Sequence, residues 1–394
     1  MRVGIVLSSS PSYSETFFNS KIIGLQKQGV AVVLFCKKKD KDFKLCTVIE
    51  PPKVSSNVMV MAYYFIKEIV KLLPYRKEVA RFVRLERKKG ISSVKILKAM
   101  YVNSQLLKAK VDWLHFGFAT MALERENVAQ AIGAKMGVSF RGFDIAIYPL
   151  KHPNCYQYLW QKVDKIHTIS NDLLQIAYTL GLPKTIPVAK ITPAIDVTFF
   201  TPNTVTPLTA SQPIQFLTVG RLHWKKGHIQ TLQALAQLKA KNIIFTYTIV
   251  GGGTQAEQER VRFVAQELNI EDAVVFKGKL NHQAVKQAYQ QADVYIQYSI
   301  SEGFCNAVLE AQAMKTLCVV SSAEGLPENV LHNQTGWVVP KLSPTLLAKQ
   351  LEAVYLLPDI EKEKIKQQAR QRVQEQFTIQ KQQKAFNKFY TQTL

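Results

Sequence analysis

Short apolar runs alternate with segments of helical period along most of this chain. Residues 3–9, VGIVLSS, read as a first strand, 15–27 as an amphipathic helix stopped by Gly29, and 30–36, VAVVLFC, as a second strand. Runs at 113–117, 138–142 and 165–170 add strands to the same half. These runs are continuously apolar and rich in β-branched residues. That pattern predicts a parallel sheet covered on both faces, whereas a half-solvated sheet would alternate. Residues 201–213, TPNTVTPLTASQP, hold three prolines among Ser and Thr and read as a linker. The alternation then restarts, with strands expected at 214–220, 245–251, 273–278, 293–299 and 317–322. The fold class that follows is α/β: two Rossmann-like, doubly wound units in tandem, over 1–200 and 214–376. A polar helix over 377–394 closes the chain, with Phe386, Phe389 and Tyr390 as its docking face. Ligands of such units lie outside the carboxyl ends of the strands, and a cleft between two units is the default site.

One segment breaks the rhythm. Residues 67–110 read as mostly helical and carry 13 Lys and Arg against Glu68, Glu78 and Glu86, with Tyr75 and Phe82 interleaved. The whole chain of 394 residues has a net charge of +22, and residues 1–200 hold 30 Lys and Arg against 14 Asp and Glu. A basic half points to an anionic partner. Three readings of 67–110 stand in order: solvated helix faces, an anionic membrane surface, and nucleic acid. No zinc-finger, RRM or basic-zipper pattern supports the third, so no nucleic acid is expected. The five cysteines form no CxxC pair, which fits free thiols in a reducing compartment. The start, MRVGIVLSSSPS, lacks the apolar run of a signal peptide. The expected location is cytoplasmic, with the inner face of the membrane as a place of attachment.

Candidate chemistry gathers in the second half. VGRLHWKKG, residues 219–227, is a strand-to-helix turn, a form that offers backbone N–H groups and a helix N-terminus to phosphate. Gly220 permits a close turn there, and Arg221 and Lys226 are cations for a diphosphate. A solvated basic loop is the bland alternative. The run beginning at Gly251 is a second such turn, but no GK[ST] follows, so it is not a Walker loop. No glycine fingerprint follows the first strand either, which disfavours nicotinamide chemistry. In SEGFCNAVLEAQA, Glu302 precedes a helix expected to start near Cys305, and Glu310 lies further along it. A carboxylate accepts two hydrogen bonds and suits a vicinal diol. A sugar nucleotide has diols at both ends and two phosphates between them. The alternatives are a capping acid with a surface Glu, or a glycosidase pair flanking one bond.

These segments, with GLPENV at 325–330, resemble the retaining glycosyltransferases of family four, whose hallmark is Glu-x7-Glu. The likeness is dense over the second half and looser in the first, at PSYSETF (11–17), HFGF (115–118) and FRGFD (140–144). It implies the GT-B fold, a nucleotide-diphosphate sugar as donor substrate, and a glycan or lipid-linked acceptor, in surface polysaccharide synthesis. It also implies that Arg221 and Lys226 bind the diphosphate, that Glu310 holds the ribose, and that Glu302 meets the hexose beside the reacting carbon. Gly303, Phe304, Cys305 and Asn306 would line hexose and phosphate through their amides. Gly251, Lys277 and Gly278 would border the base. His115, Arg141, Asp144, Ser14 and Glu15 would face the acceptor or the cleft, with Arg141 standing where the family often has His. The final helix would pack back on the first unit. Cations and a helix N-terminus would stabilise the leaving group, so no cofactor and no metal is expected. Two other classes stay open: a GT-B nucleotide-sugar epimerase and a non-catalytic binder of polyanions or membranes.

Overall fold

The computed structural model describes residues 1–11, 16–202 and 213–392. It divides into two units, Met1–Ile191 with Gln382–Leu394, and Thr192–Lys381. In the first unit the strands are β1 (Arg2–Val6), β2 (Ala31–Phe35), β3 (Thr47–Ile49), β4 (Trp113–Phe116), β5 (Lys135–Phe140), β6 (Lys165–Thr168) and β7 (Val188–Lys190). They form one seven-stranded sheet in the order β3-β2-β1-β4-β5-β6-β7, parallel throughout. Four of five residues in β1 and in β2, and all of β4, are buried. Helices therefore cover both faces, as the unbroken apolar runs require.

The second unit repeats the plan with β8 (Ile214–Val219), β9 (Phe245–Val250), β10 (Val274–Gly278), β11 (Val294–Gln297), β12 (Leu317–Ser321) and β13 (Trp337–Val339). Its six-stranded sheet runs β10-β9-β8-β11-β12-β13, again all parallel. The strand order reverses between β8 and β11, so their two carboxyl ends flank a topological switch point. Loops of such a sheet diverge there and leave room for a ligand.

The boundaries differ from those at 200 and 377. Residues 192–202 belong to the second unit: the Ile195 amide donates to the Phe377 carbonyl (3.0 Å) and Arg370 donates to the Phe200 carbonyl (3.3 Å). Residues 203–212 of the proline-rich segment lie outside the described residues. From Gln382 on, the helix Ile379–Thr391 belongs to the first unit. Its Phe386, Phe389 and Tyr390 are buried in that unit's core with Phe17, Ile22 and Trp113, and Lys165 Nζ donates to the Phe389 carbonyl at 2.9 Å.

The crossover from β3 to β4 is a set of helices, Val58–Leu72, Arg76–Lys88 and Ser93–Val102, joined by the short turn Leu73–Tyr75. Their inner faces are fixed by apolar and polar groups together. Phe82, Ile96 and Met100 are buried. So is Glu68, whose carboxylate accepts from Ser104 Oγ (3.0 Å), Lys71 Nζ (3.2 Å) and Lys108 Nζ.

Candidate functional site

Three loops at the carboxyl end of the second sheet build the site. After β8 the chain makes a short turn, Trp224–Lys226, before the helix His228–Lys239. His223 caps that turn by accepting from the Lys225 amide through Nδ1 at 3.3 Å. Gly227 follows with φ +67°, and a Cβ on it would lie 1.9 Å from the Tyr298 carbonyl oxygen. The loop after β11 thus presses on the loop after β8 at a point only glycine tolerates. The Ile300 amide also donates to the Lys225 carbonyl at 2.7 Å. The same is true of Gly251, with φ +150° and a virtual Cβ 1.8 Å from the Gly220 carbonyl oxygen. Gly220 itself has no such constraint, since a Cβ there would make only ordinary contact, 3.6 Å from the Lys226 side chain. The close turn expected at Gly220 is instead made by Gly227 and Gly251.

This locked pair of loops brings Lys226 and Glu302 into an ion pair across the switch point. Burial, the largest single influence, pushes the Lys226 ammonium down, but the charge of Glu302, the nearby Cys305 and the hydrogen bond to Glu302 together outweigh it and hold the amine above its ordinary range. Glu302 is held at its backbone too. Its amide donates to the Glu324 carboxylate, its carbonyl accepts from the Gly325 amide (3.0 Å), and Lys341 pairs with Glu324. Arg221, at the start of the same turn, is exposed, as are Lys277 and Gly278 at the end of β10.

The helix Asn306–Ala313 begins after Cys305 in extended backbone. Asn329 clamps that entry from both sides. Its Oδ1 accepts from the Cys305 amide and its Nδ2 donates to the Cys305 carbonyl, both at 3.0 Å. The Cys305 amide is therefore committed to Asn329 and is not one of the free donors expected for hexose or phosphate. Burial pushes the Cys305 thiol up to about 12, which leaves it no role as a nucleophile. Phe304 is buried against Phe377, with ring centroids 5.8 Å apart, while Gly303 and Asn306 are partly exposed. Within the helix, Glu310 accepts from the Tyr289 hydroxyl at 3.0 Å. Burial raises its carboxyl to about 7, and the Tyr289 hydrogen bond only partly offsets this.

The first unit corrects two expectations. His115 is completely buried, with Nε2 bonded to Ser139 Oγ (2.7 Å) and Nδ1 to the Tyr390 hydroxyl (2.7 Å). Burial, and then the charge of Lys21, hold its pKa well below the usual histidine value. It is a core group that ties β4 to the final helix and is closed off from solvent. Asp144 is also fully buried, and it accepts from the amides of Ala119 (3.0 Å), Arg141 (3.0 Å) and Gly142 (2.9 Å). It shapes the loop after β5 and is closed off from solvent there. Arg141 is half-buried, its guanidinium 3.9 Å from the centre of the Phe17 ring. Ser14 and Glu15 lie outside the described residues. Among the described residues, no group of three or more His, Cys, Asp or Glu is arranged to hold a metal ion.

Sequence reasoning missed Asn329, Glu324 and Tyr289. Asn329 sits inside GLPENV, which carried the resemblance without a role. Tyr289, in the helix His282–Gln291, shows no local signal, because its bond to Glu310 exists only once the sheet has brought the two helices together.

The family of glycosyl transferases group 1 matches residues 205–372. A putative colanic acid biosynthesis glycosyltransferase of Escherichia coli K12 is 27% identical over 400 residues, covering 96% of this chain and 97% of that protein. An amylovoran biosynthesis glycosyltransferase of Erwinia amylovora is 27% identical over 270 residues, 66% of this chain and 65% of its own. Among solved structures, sucrose-phosphate synthase from Thermosynechococcus elongatus superposes with a TM-score of 0.75 at 18% identity, over 100% of this chain and 98% of that one. An Anabaena protein in complex with UDP gives 0.73 at 14%, over 100% of both chains. With its paired acids and cations at the switch point of one of two Rossmann-like units, the chain has the GT-B fold of these neighbours, and its residues 205–372 match the group 1 glycosyl transferases.

Proposed function

We propose that this glycosyltransferase moves a hexose from a nucleoside-diphosphate sugar to a glycan or lipid-linked acceptor, with retention at the anomeric carbon and without a metal, in the synthesis of a surface polysaccharide. The observation that carries the reading is the Lys226–Glu302 ion pair at the sheet's switch point, with Glu310 on the helix that follows. In this reading Lys226 and Arg221 meet the diphosphate, and Glu302 meets hexose hydroxyls next to the bond that breaks. Glu310 takes the two ribose hydroxyls. Breaking the anomeric C–O bond leaves its electron pair on the diphosphate, and fixed cations there stabilise that charge most in the transition state. The acceptor hydroxyl forms the new C–O bond and gives its proton to the departing phosphate oxygen on the same face. The strongly basic first unit, rich in Lys and Arg, is the acceptor side of this scheme.

The relatives named for colanic acid and amylovoran synthesis support the polysaccharide assignment. Because the Anabaena neighbour was crystallised with UDP and with UDP-glucose, UDP sugars are the first donors to test. UDP, GDP, ADP and their sugars should be compared by thermal shift, since a ligand that binds only the folded form raises the melting point. Lys226→Ala and Glu302→Ala should each lower transfer by about a hundredfold or more, with the circular dichroism spectrum preserved. Full transfer by either variant would remove these roles. Product NMR decides retention, and activity after exhaustive chelation decides the metal. Conversion of the donor without any acceptor would favour an epimerase.

A further inference from the structure

The helix Val58–Leu72 has an unusual outer face. Met59, Tyr63, Ile66, Val70 and the following Leu73 recur at steps of four and three, which is one stripe of an α-helix. All five are between 57% and 81% exposed. The orientation is fixed from inside. Leu72 and the ion-paired Glu68 are buried on the opposite face, and Phe65 stacks on Tyr101 with centroids 5.6 Å apart. The helix therefore cannot roll its apolar stripe inward without exposing Leu72 and taking Glu68 from its buried partners. The adjacent helix Arg76–Lys88 presents Arg76, Lys77, Arg81, Arg84, Arg87 and Lys88 to solvent. An open groove of about 780 Å3, lined by Ile69, Leu72, Val79 and Val83 with Arg84 and Arg87 among them, joins the two helices. Solvated basic faces alone do not account for an apolar stripe of this length beside a cationic helix.

We propose that these two helices dock the protein on an anionic lipid bilayer, the stripe from Met59 to Leu73 entering the acyl boundary and the cations of Arg76–Lys88 meeting the headgroups. An amphipathic helix that pairs an apolar face with Lys and Arg lies in the plane of such an interface. No helix of the described residues is long and apolar enough to cross a membrane, so the contact is one of lying on the surface. Charge decides among occupants. A second copy of this chain would bring two cationic helices together on a chain of net charge +22, whereas an anionic bilayer neutralises them. This inference goes beyond sugar transfer and is separable from it.

The test is sedimentation of the full chain with vesicles of phosphatidylcholine alone and of phosphatidylcholine with phosphatidylglycerol, at low and high salt. Binding is expected to the anionic vesicles only, and to weaken with salt. Tyr63→Ser with Ile66→Asp should abolish most of it, while Arg81→Gln and Arg84→Gln should each lower partitioning about fivefold. Because these side chains are exposed, the melting temperature and the thermal shift with nucleoside diphosphate should match those of the unmodified chain. Equal binding to both vesicle types, no binding to either, or variants that bind like the unmodified chain would overturn the proposal. Light scattering that shows a dimer dispersed by the Tyr63 and Ile66 changes, without vesicle binding, would assign the stripe to a second copy instead.

Discussion

At the scale of single residues, the site rests on two acids that solve the same problem differently. Glu302 pairs with the ammonium of Lys226. Glu310 has a neutral partner, Tyr289, and its carboxyl rises from the usual 4.5 to about 7. Between those two values the folded protein holds a proton that the unfolded chain releases, so this group lowers stability as pH rises through that window. Glu310→Gln keeps the shape and the Tyr289 bond, and should therefore raise stability at pH 8 by about 1–3 kcal/mol in urea titrations. The same change should weaken donor binding and flatten its pH dependence, since only the ionised carboxyl offers both oxygens to a diol. For the ion pair, Lys226→Met or Glu302→Gln alone strands a partly buried charge and should cost about 1–3 kcal/mol. The double change should cost less than the sum of the two, as a denaturation cycle would measure. The spacing of Glu302 and Glu310 was legible in the sequence because it lies within one turn and one helix. The burial of His115 was not, because β4 had no mark to say that its polar residue points at Tyr390 and Ser139.

At the scale of elements, the glycines and the Asn clamp hold the loops in place. Gly227→Ala would drive a Cβ into the Tyr298 carbonyl and should cost more than about 3 kcal/mol, read as a fall in melting temperature. Asn329→Ala leaves the buried Cys305 amide and carbonyl without their partner and should cost about 1–3 kcal/mol, with a loss of kcat/KM as the helix entry loosens. The long buried strands were legible as unbroken apolar runs. The strands β3, β7 and β13 were not, since each is only three residues long and lies at a sheet edge. A three-residue run has too few positions to show a period, and its pairing is dictated by the strand beside it. The helices of 67–110 were read correctly as helical and basic, but the exposed stripe from Met59 to Leu73, which begins before that segment, was invisible. Apolar residues at helical spacing are the same letters whether they face a core or solvent.

At the scale of the molecule, the first unit is made of two separate stretches of chain, Met1–Ile191 and Gln382–Leu394. Phe386, Phe389 and Tyr390 complete its core. Removing one such aromatic typically costs about 3–5 kcal/mol, and a whole domain is stable by only about 5–15 kcal/mol. A chain stopped after Lys381 should therefore lose the cooperative melting of its first unit, visible as unprotected amides in β1 and β4 by hydrogen exchange. Protection in β8 and β11 should persist. The same arrangement sets a timetable for biosynthesis. The 190 residues from Thr192 to Lys381 take the ribosome roughly 10–40 s to add. Throughout that interval the earlier-made half waits with its aromatic seat empty, so the later-made half is the one able to mature first, and a holding chaperone has a defined window in which it is needed.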